Sequence, residues 1–208
     1  MGKLKIKKNI LLSGFTSWNV GGPAEWISEP TNIEEVRSLL SWAKKQEINC
    51  NLLGAGSNML ISDKGLAGLS LCMRKLRGCQ LDHITGIVEA MSGEPLPLLA
   101  RRSANEGLHG LEWAVGIPGT VGGGVAMNAG AAGNSISDTL LSIKVLNISN
   151  EEEFELKAKD LDFNYRQSRL QEEDLILLSA QFKLKPGYAK KELNKITATH
   201  LNHRVNTQ

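Results

Sequence analysis

The spacing of apolar positions divides this chain of 208 residues into short extended and helical segments. Residues 24–28 read as a strand that Pro30 closes. Ile33, Val36, Leu39, Leu40 and Ala43 then recur at helical intervals, which predicts a helix to about Gln46. Thr31 and Glu34 have the spacing of a capping box at its start. Residues 51–53, 69–73 and 86–91 read as strands. A helix is expected over 97–106, with Gly107 at the position just past its end, where a left-handed residue commonly stops a helix. Residues 140–148 alternate as a strand does, and 154–157 make a hairpin partner across Asn150. A further strand is expected at 175–183. The last predicted element is a helix over 188–204, with Leu193, Ile196 and Leu201 on one side. Groups of strands separated by helices, without strict βα alternation, indicate an α+β fold. A division near 65–68 would separate an N-terminal unit (1–68) from a larger one (69–208).

One stretch fits neither period. Between Gly110 and Asp138, eight of 29 residues are glycine, a density that weakens any helix or strand. Trp113, Val115, Ile117, Val121 and Met127 are interleaved with the glycines, which a flexible Gly/Ser linker would lack. An ordered loop that cradles a ligand is the stronger reading, and backbone amides with small side chains suit phosphates. No lysine follows at Walker spacing. A second glycine loop, Gly54-Ala55-Gly56-Ser57-Asn58, follows the strand at 51–53. Met59 stands where a dinucleotide fingerprint needs its third glycine, so this loop alone reads equally as a tight turn. Two such loops in one chain favour a nucleotide-like ligand.

Composition narrows the function classes. Hydrophobic residues make up 41% and charged residues 22%, and the net charge is +2, which gives no nucleic-acid footprint. Lys3, Lys5, Lys7 and Lys8 read as a solvated start to the chain. No apolar run is long enough to span a membrane, no signal peptide is visible, and Ile6 stands where myristoylation after Gly2 calls for Ser or Thr. Cys50, Cys72 and Cys79 are odd in number and match no zinc spacing, so reduced thiols in a cytoplasmic protein are expected.

The remaining candidate chemistry is sparse. Tyr165-Arg166 lies in a polar connection, where Arg166 is either surface decoration or a planar fork for a carboxylate or phosphate. His200 and His203 lack further metal ligands and read as a solvated helix end, with Arg204 placed to suit the helix dipole. His109, beside the glycine run, is a candidate ligand contact. No metal site and no serine-hydrolase arrangement is present.

Taken together, the stretches Thr16–Ala24, Leu53–Leu60, Gly116–Gly123, Asn128–Ala131 and Tyr165–Ser168 resemble the UDP-N-acetylenolpyruvoylglucosamine reductases, also called UDP-N-acetylmuramate dehydrogenases, from about Phe15 to Gln208. The resemblance implies a vanillyl-alcohol-oxidase (PCMH-type) FAD-binding fold of two α+β subdomains over about 15–186. It implies FAD contacts from Leu53, Gly54, Ala55, Gly56, Ser57, Asn58 and Met59, and from Gly116, Ile117, Pro118, Gly119, Thr120, Gly122, Gly123, Asn128 and Gly130. Tyr165 and Arg166 would meet substrate, with Arg166 catalytic. The family reaction uses NADPH and FAD to reduce the enolpyruvyl ether of a nucleotide sugar to a lactyl ether in peptidoglycan precursor synthesis, in the cytoplasm. No His or Cys stands at an obvious flavin-linking position, so FAD is expected to be noncovalent. Gly124 and Ala132 depart from the family pattern, where alanine and an aromatic residue are usual. Members also carry a C-terminal domain with a proton-donating serine and a glutamate; this chain reaches Asn206-Thr207-Gln208 just before that segment. The expectation is therefore the FAD-binding portion, truncated or split, with a separate C-terminal domain chain as a candidate partner. Two alternatives stand beside it: an FAD-binding module without turnover of its own, and a different flavin oxidase or dehydrogenase on the same fold. The Tyr165-Arg166 motif weighs against the latter.

Overall fold

The computed structural model describes residues 4–207. Four strands form a first sheet in the order β1-β2-β4-β3: β1 Lys7–Leu11, β2 Pro23–Ser28, β3 Cys50–Leu53 and β4 Leu66–Cys72. β1 is antiparallel to β2, whereas β4 runs parallel to both β2 and β3. A second, antiparallel sheet has the order β10-β9-β11-β6-β5: β5 Cys79–Leu81, β6 Ile87–Met91, β9 Leu140–Asn147, β10 Glu153–Lys157 and β11 Leu175–Lys183. A two-residue pair, β7 Gly130–Ala131 with β8 Asn134–Ser135, lies within the glycine run. The α+β class expected from the sequence is the class observed. The division placed at 68 falls inside β4, so the first sheet extends to Cys72.

Helix α1 (Ile33–Lys45) sits between the sheets. Its apolar spacing puts Val36, Leu39, Leu40 and Ala43 on one buried face, packed with Leu69 and Leu71 of β4 and with Leu146, Ile176 and Leu178 of β9 and β11. The cap is one residue later than the Thr31/Glu34 spacing suggests. Asn32, still extended at φ −149°, accepts the Glu35 amide at 2.8 Å, and Glu35 Oε2 accepts the Thr31 N–H at 2.7 Å.

The other face of the second sheet carries the largest core. Val88, Ala90, Ile143, Val145, Ala180 and Phe182 pack there beneath α2 (Leu96–Asn105) and the segment 108–136. Gly107, at φ +74°, ends α2 at the expected position. Helix α4 (Lys190–Thr207) crosses α2, burying Leu193, and Leu201 packs against the same core.

Several elements, the β7–β8 pair among them, differ from the sequence reading. Lys7 and Lys8 belong to an edge strand, with Lys8 Nζ 4.6 Å from the Trp26 ring centroid; Lys3 lies outside the described residues. β5 was not expected. Within the glycine run, residues Val121–Ala126 form a short helix, α3, whose cap Thr120 Oγ1 accepts the Gly123 amide at 3.4 Å. Packing of Val121 and Val125, both fully buried, offsets the low helix propensity of Gly122, Gly123 and Gly124. No helix among the described residues is long and apolar enough to cross a membrane.

Candidate functional site

A cleft of about 560 Å³ opens where the two sheets meet, within the roughly 300–1,000 Å³ range of small-ligand and cofactor pockets. Both glycine loops line it. From the first sheet come residues 52–59, the turn that follows β3. From the second unit come 117–120, the start of α3, and Ala126, Met127, Ala129 and Gly130.

The local structure of each loop follows from its sequence. Gly56 takes φ +67°, and a Cβ there would lie 1.9 Å from the Phe15 carbonyl oxygen. The same turn accepts the Ser17 amide on the Gly56 carbonyl at 3.1 Å, which locks residues 15–17 to the loop. The two loops then meet: Ser57 Oγ donates to the Pro118 carbonyl at 2.9 Å. The second loop is anchored from below. Leu96 N–H donates to Gly119 O, Val121 N–H to Glu94 O and Gly122 N–H to Ser92 O, at 3.0, 2.9 and 2.8 Å. Glu94 is itself buried and paired, its Oε1 3.1 Å from Arg102 Nη1 and its Oε2 accepting the Gly78 amide.

The amides of Ala55, Gly56, Ser57 and Asn58, and those of Gly119 and Thr120, donate to no other described residue. Six unspent N–H groups on two loops that touch form a donor set for anionic oxygens. Among the described residues lining the cleft, the ionisable side chains are Arg166 and Arg204, both cationic. Arg166 has φ +56° and donates from Nη2 to the Gly130 carbonyl at 3.3 Å; the turn that carries it is held by Gln171 Nε2, which donates to Ala126 O and Arg166 O. Buried Ser168 also donates to Ala126 O, at 2.7 Å.

Of the residues expected at the ligand, Leu53, Gly54, Ala55, Gly56, Ser57, Asn58, Met59, Ile117, Pro118, Gly119, Thr120, Gly122, Gly123, Gly130 and Arg166 line the cleft. Three do not. Gly116 lies behind the wall, where its lack of a side chain makes room for Arg204; a Cβ would sit 2.7 Å from Arg204 Cδ. Asn128 braces the loop, donating to Asn164 O and accepting the Ser137 amide. Tyr165 is 90% exposed, outside the cleft. His109 is also elsewhere: its ring stacks on Tyr188 at 4.7 Å, and Nδ1 lies 3.3 Å from Glu112 Oε1. Ser92, Met73, Leu96, Leu170, Leu175–Leu177 and Arg204 also line the cleft. Their sequence context gives no sign of this: most belong to elements whose local pattern explains them without a ligand, and Ser92 lies in the turn between β6 and α2.

The nearby titratable groups are structural. Burial pushes the Cys72 thiol up, above its ordinary value, and its Sγ packs 3.8 Å from the Gly54 carbonyl. Partial burial also acts to raise Glu29, but the hydrogen bonds and charges of Lys75 and Arg74 outweigh it and hold the carboxyl below its ordinary value.

A family profile described as an FAD binding domain matches residues 24–156. The chain is 57% identical to UDP-N-acetylenolpyruvoylglucosamine reductase of Prochlorococcus marinus (strain MIT 9313) over 205 residues, covering 99% of this chain and 67% of the relative. The chain belongs to the UDP-N-acetylenolpyruvoylglucosamine reductase family. The reductase of Synechococcus sp. (strain JA-3-3Ab) is 47% identical, with 98% of this chain and 65% of that protein covered. Among solved structures, the family's Thermus caldophilus enzyme matches with a TM-score of 0.79 at 31% identity, over 98% of this chain and 71% of that one. The chain thus spans about two thirds of the length of these reductases. The 6-hydroxy-D-nicotine oxidase of Arthrobacter nicotinovorans shares the fold alone, with a TM-score of 0.59 at 14% identity over 78% of this chain and 37% of the oxidase. The PCMH-type fold expected from the sequence is therefore the fold this family member has.

Proposed function

We propose that this chain is the FAD-holding part of an NADPH-dependent enzyme that reduces UDP-N-acetylenolpyruvoylglucosamine to UDP-N-acetylmuramate in the cytoplasm. The observation that carries the reading is the pair of loops with unspent amides facing one cleft. FAD carries a diphosphate, and the amides of 55–58 and 119–120 are the groups to hold its oxygens. Leu53, Gly54, Met59, Ile117, Pro118, Gly122, Gly123 and Gly130 supply small or apolar surface for the rest of the cofactor. Once bound, FAD supplies hydride transfer between NADPH and the substrate.

The protein's part is electrostatic. Arg166 enters the cleft with no carboxylate among the described residues within ion-pair distance. Its planar fork fits the carboxylate of the enolpyruvyl group. Hydride addition to that double bond leaves negative charge delocalised towards the carboxylate, and a guanidinium held there favours it. Tyr165, though exposed, borders Arg166, whose guanidinium carbon lies 5.9 Å from its ring centroid, and is assigned to the outer edge of the substrate site. Arg166→Ala is expected to weaken binding of UDP-N-acetylenolpyruvoylglucosamine to the FAD-loaded protein by about tenfold or more, the scale of one charge-assisted contact, with FAD affinity changed much less. Titration calorimetry with each ligand separates the two; equal losses for both would remove Arg166 from substrate recognition.

We read the proton donor as lying outside this cleft: the side-chain O–H groups of its described lining belong to Ser57, Ser92 and Thr120, and no acidic side chain lines the cleft beside them. The cleft lining among the described residues holds no carboxyl, imidazole or thiol. We assign the proton donor to a further domain or a separate chain. The same observation favours a second reading, an FAD-binding module without turnover of its own.

No His, Cys or Tyr lines the cleft among the described residues, and Cys72 is packed under Gly54 as a neutral thiol. Purified protein is expected to be yellow, and acid precipitation is expected to leave the flavin in the supernatant. Colour in the pellet would overturn noncovalent attachment. A colourless protein that takes up no added FAD would overturn the cofactor itself.

A further inference from the structure

We propose that the Ser92 hydroxyl is a polar contact for a ring-edge atom of the cofactor, at the floor of the cleft. The inference rests on the reading of that cleft as an FAD site. Ser92 lines the cleft, is 2% exposed, and its Oγ has no hydrogen-bond partner among the described residues. Its backbone groups are already used: the amide donates to Leu178 O and the carbonyl accepts from Gly122 N–H, each at 2.8 Å. Only the hydroxyl is left over.

The surroundings define what it would meet. Gly122 packs directly on Ser92, and a Cβ at position 122 would lie 3.0 Å from Ser92 Cβ, so a side chain there would wall the serine off. Met73, Leu96 and Leu177, which line the cleft with it, offer no side-chain N–H or O–H. An isolated hydroxyl in an apolar floor is poorly suited to a phosphate, which takes several donors. It suits a carbonyl or ring nitrogen at the edge of a flat heteroaromatic group, whose faces the apolar residues cover. Both the isoalloxazine and the adenine of FAD present such edges. Rotation about χ1 among staggered positions lets the hydroxyl turn towards either one.

A hydroxyl that pairs only with ligand makes opposite demands on the two states. Burying it unpaired destabilises the free protein, and pairing it favours the complex. Ser92→Ala is therefore expected to leave the melting temperature of FAD-free protein unchanged or raised, while weakening FAD binding about five- to tenfold in a flavin-fluorescence titration. Ser92→Cys, a weaker donor of similar size, should fall between the two. Titration with FMN and with ADP separates the sources, since the weakened fragment carries the ring that Ser92 meets. FAD affinity of Ser92→Ala within twofold of the parent protein would overturn the proposal. So would an affinity loss accompanied by a lower melting temperature of the FAD-free protein, which marks a structural hydroxyl. If the parent protein takes up no FAD, the cofactor reading fails first, and that result is distinct from either outcome for the variant.

Discussion

A polypeptide of these 208 residues loaded with FAD is expected to accept hydride from NADPH slowly and to convert negligible UDP-N-acetylenolpyruvoylglucosamine. Reduction of the substrate needs the hydride source, the carboxylate-holding cation and an acid in one enclosed site. On the proposed function the loops hold the flavin and Arg166 the carboxylate, but the described lining of the cleft has no carboxyl, imidazole or thiol. A missing proton-transfer group costs about 10²–10⁴-fold in rate. Loss of substrate positioning is more severe, since orientation contributes up to about 7–11 kcal/mol to lowering a barrier. The NADPH half-reaction does not need that acid, so flavin reduction should persist at a diminished rate. Stopped-flow absorbance at the flavin band follows the first step, and chromatography of the nucleotide sugars follows the second. Robust turnover by this polypeptide, lost in Arg166→Ala, would show that a residue within it, or one from a second copy, delivers the proton.

Gly56→Ala is expected to abolish flavin retention and to lower the melting temperature markedly. The backbone at Gly56 is left-handed, at φ +67°, which costs a residue with a side chain about 1–2 kcal/mol. The new Cβ would also meet the Phe15 carbonyl oxygen at 1.9 Å, a backbone atom with no rotamer by which to move away. Relief requires the 15–17 segment and the loop to part, which breaks the Ser17 N–H to Gly56 O bond and opens one wall of the cleft. A total destabilisation of about 2–4 kcal/mol follows, within the range of special-backbone substitutions. Gly14→Ala is the matched control: no atom lies within 4 Å of its Cβ position, and its φ is not positive. Thermal unfolding and the flavin-to-protein absorbance ratio report both effects. A Gly56→Ala protein with the parent's melting temperature and flavin content would refute the account of the loop.

Elements with a strong local apolar pattern are legible in the sequence. The α1 pattern, the β9–β10 hairpin, β11 and the Gly107 stop all depend on contacts or dihedrals specified within a few residues. The two glycine loops were legible for the same reason, since a left-handed turn such as that at Gly56 is a local demand on one residue. What escaped has a different physical origin. β1 buries almost nothing, and its residues Lys7–Leu11 carry no alternation; it is a strand because β2 offers an unpaired edge. α3 is a helix against its own propensity, because Val121 and Val125 are buried in a core assembled from distant segments.

The site divides in the same way. From the residues alone the 54–58 loop reads equally as a tight turn and Arg166 equally as surface decoration; only the family resemblance groups them with 116–123, and the fold brings residues 53–59, 117–120, 122, 123 and Arg166 to one cleft. Only the tertiary structure decided that Gly116 yields its space to Arg204, that Asn128 braces the loop and that Tyr165 faces solvent. It likewise decided that Ser92 ends as an unpartnered hydroxyl on the cleft floor. Those outcomes depend on which segments meet across two sheets. A local pattern extends about one helical turn or a strand's pleat, whereas these contacts join residues far apart in the chain.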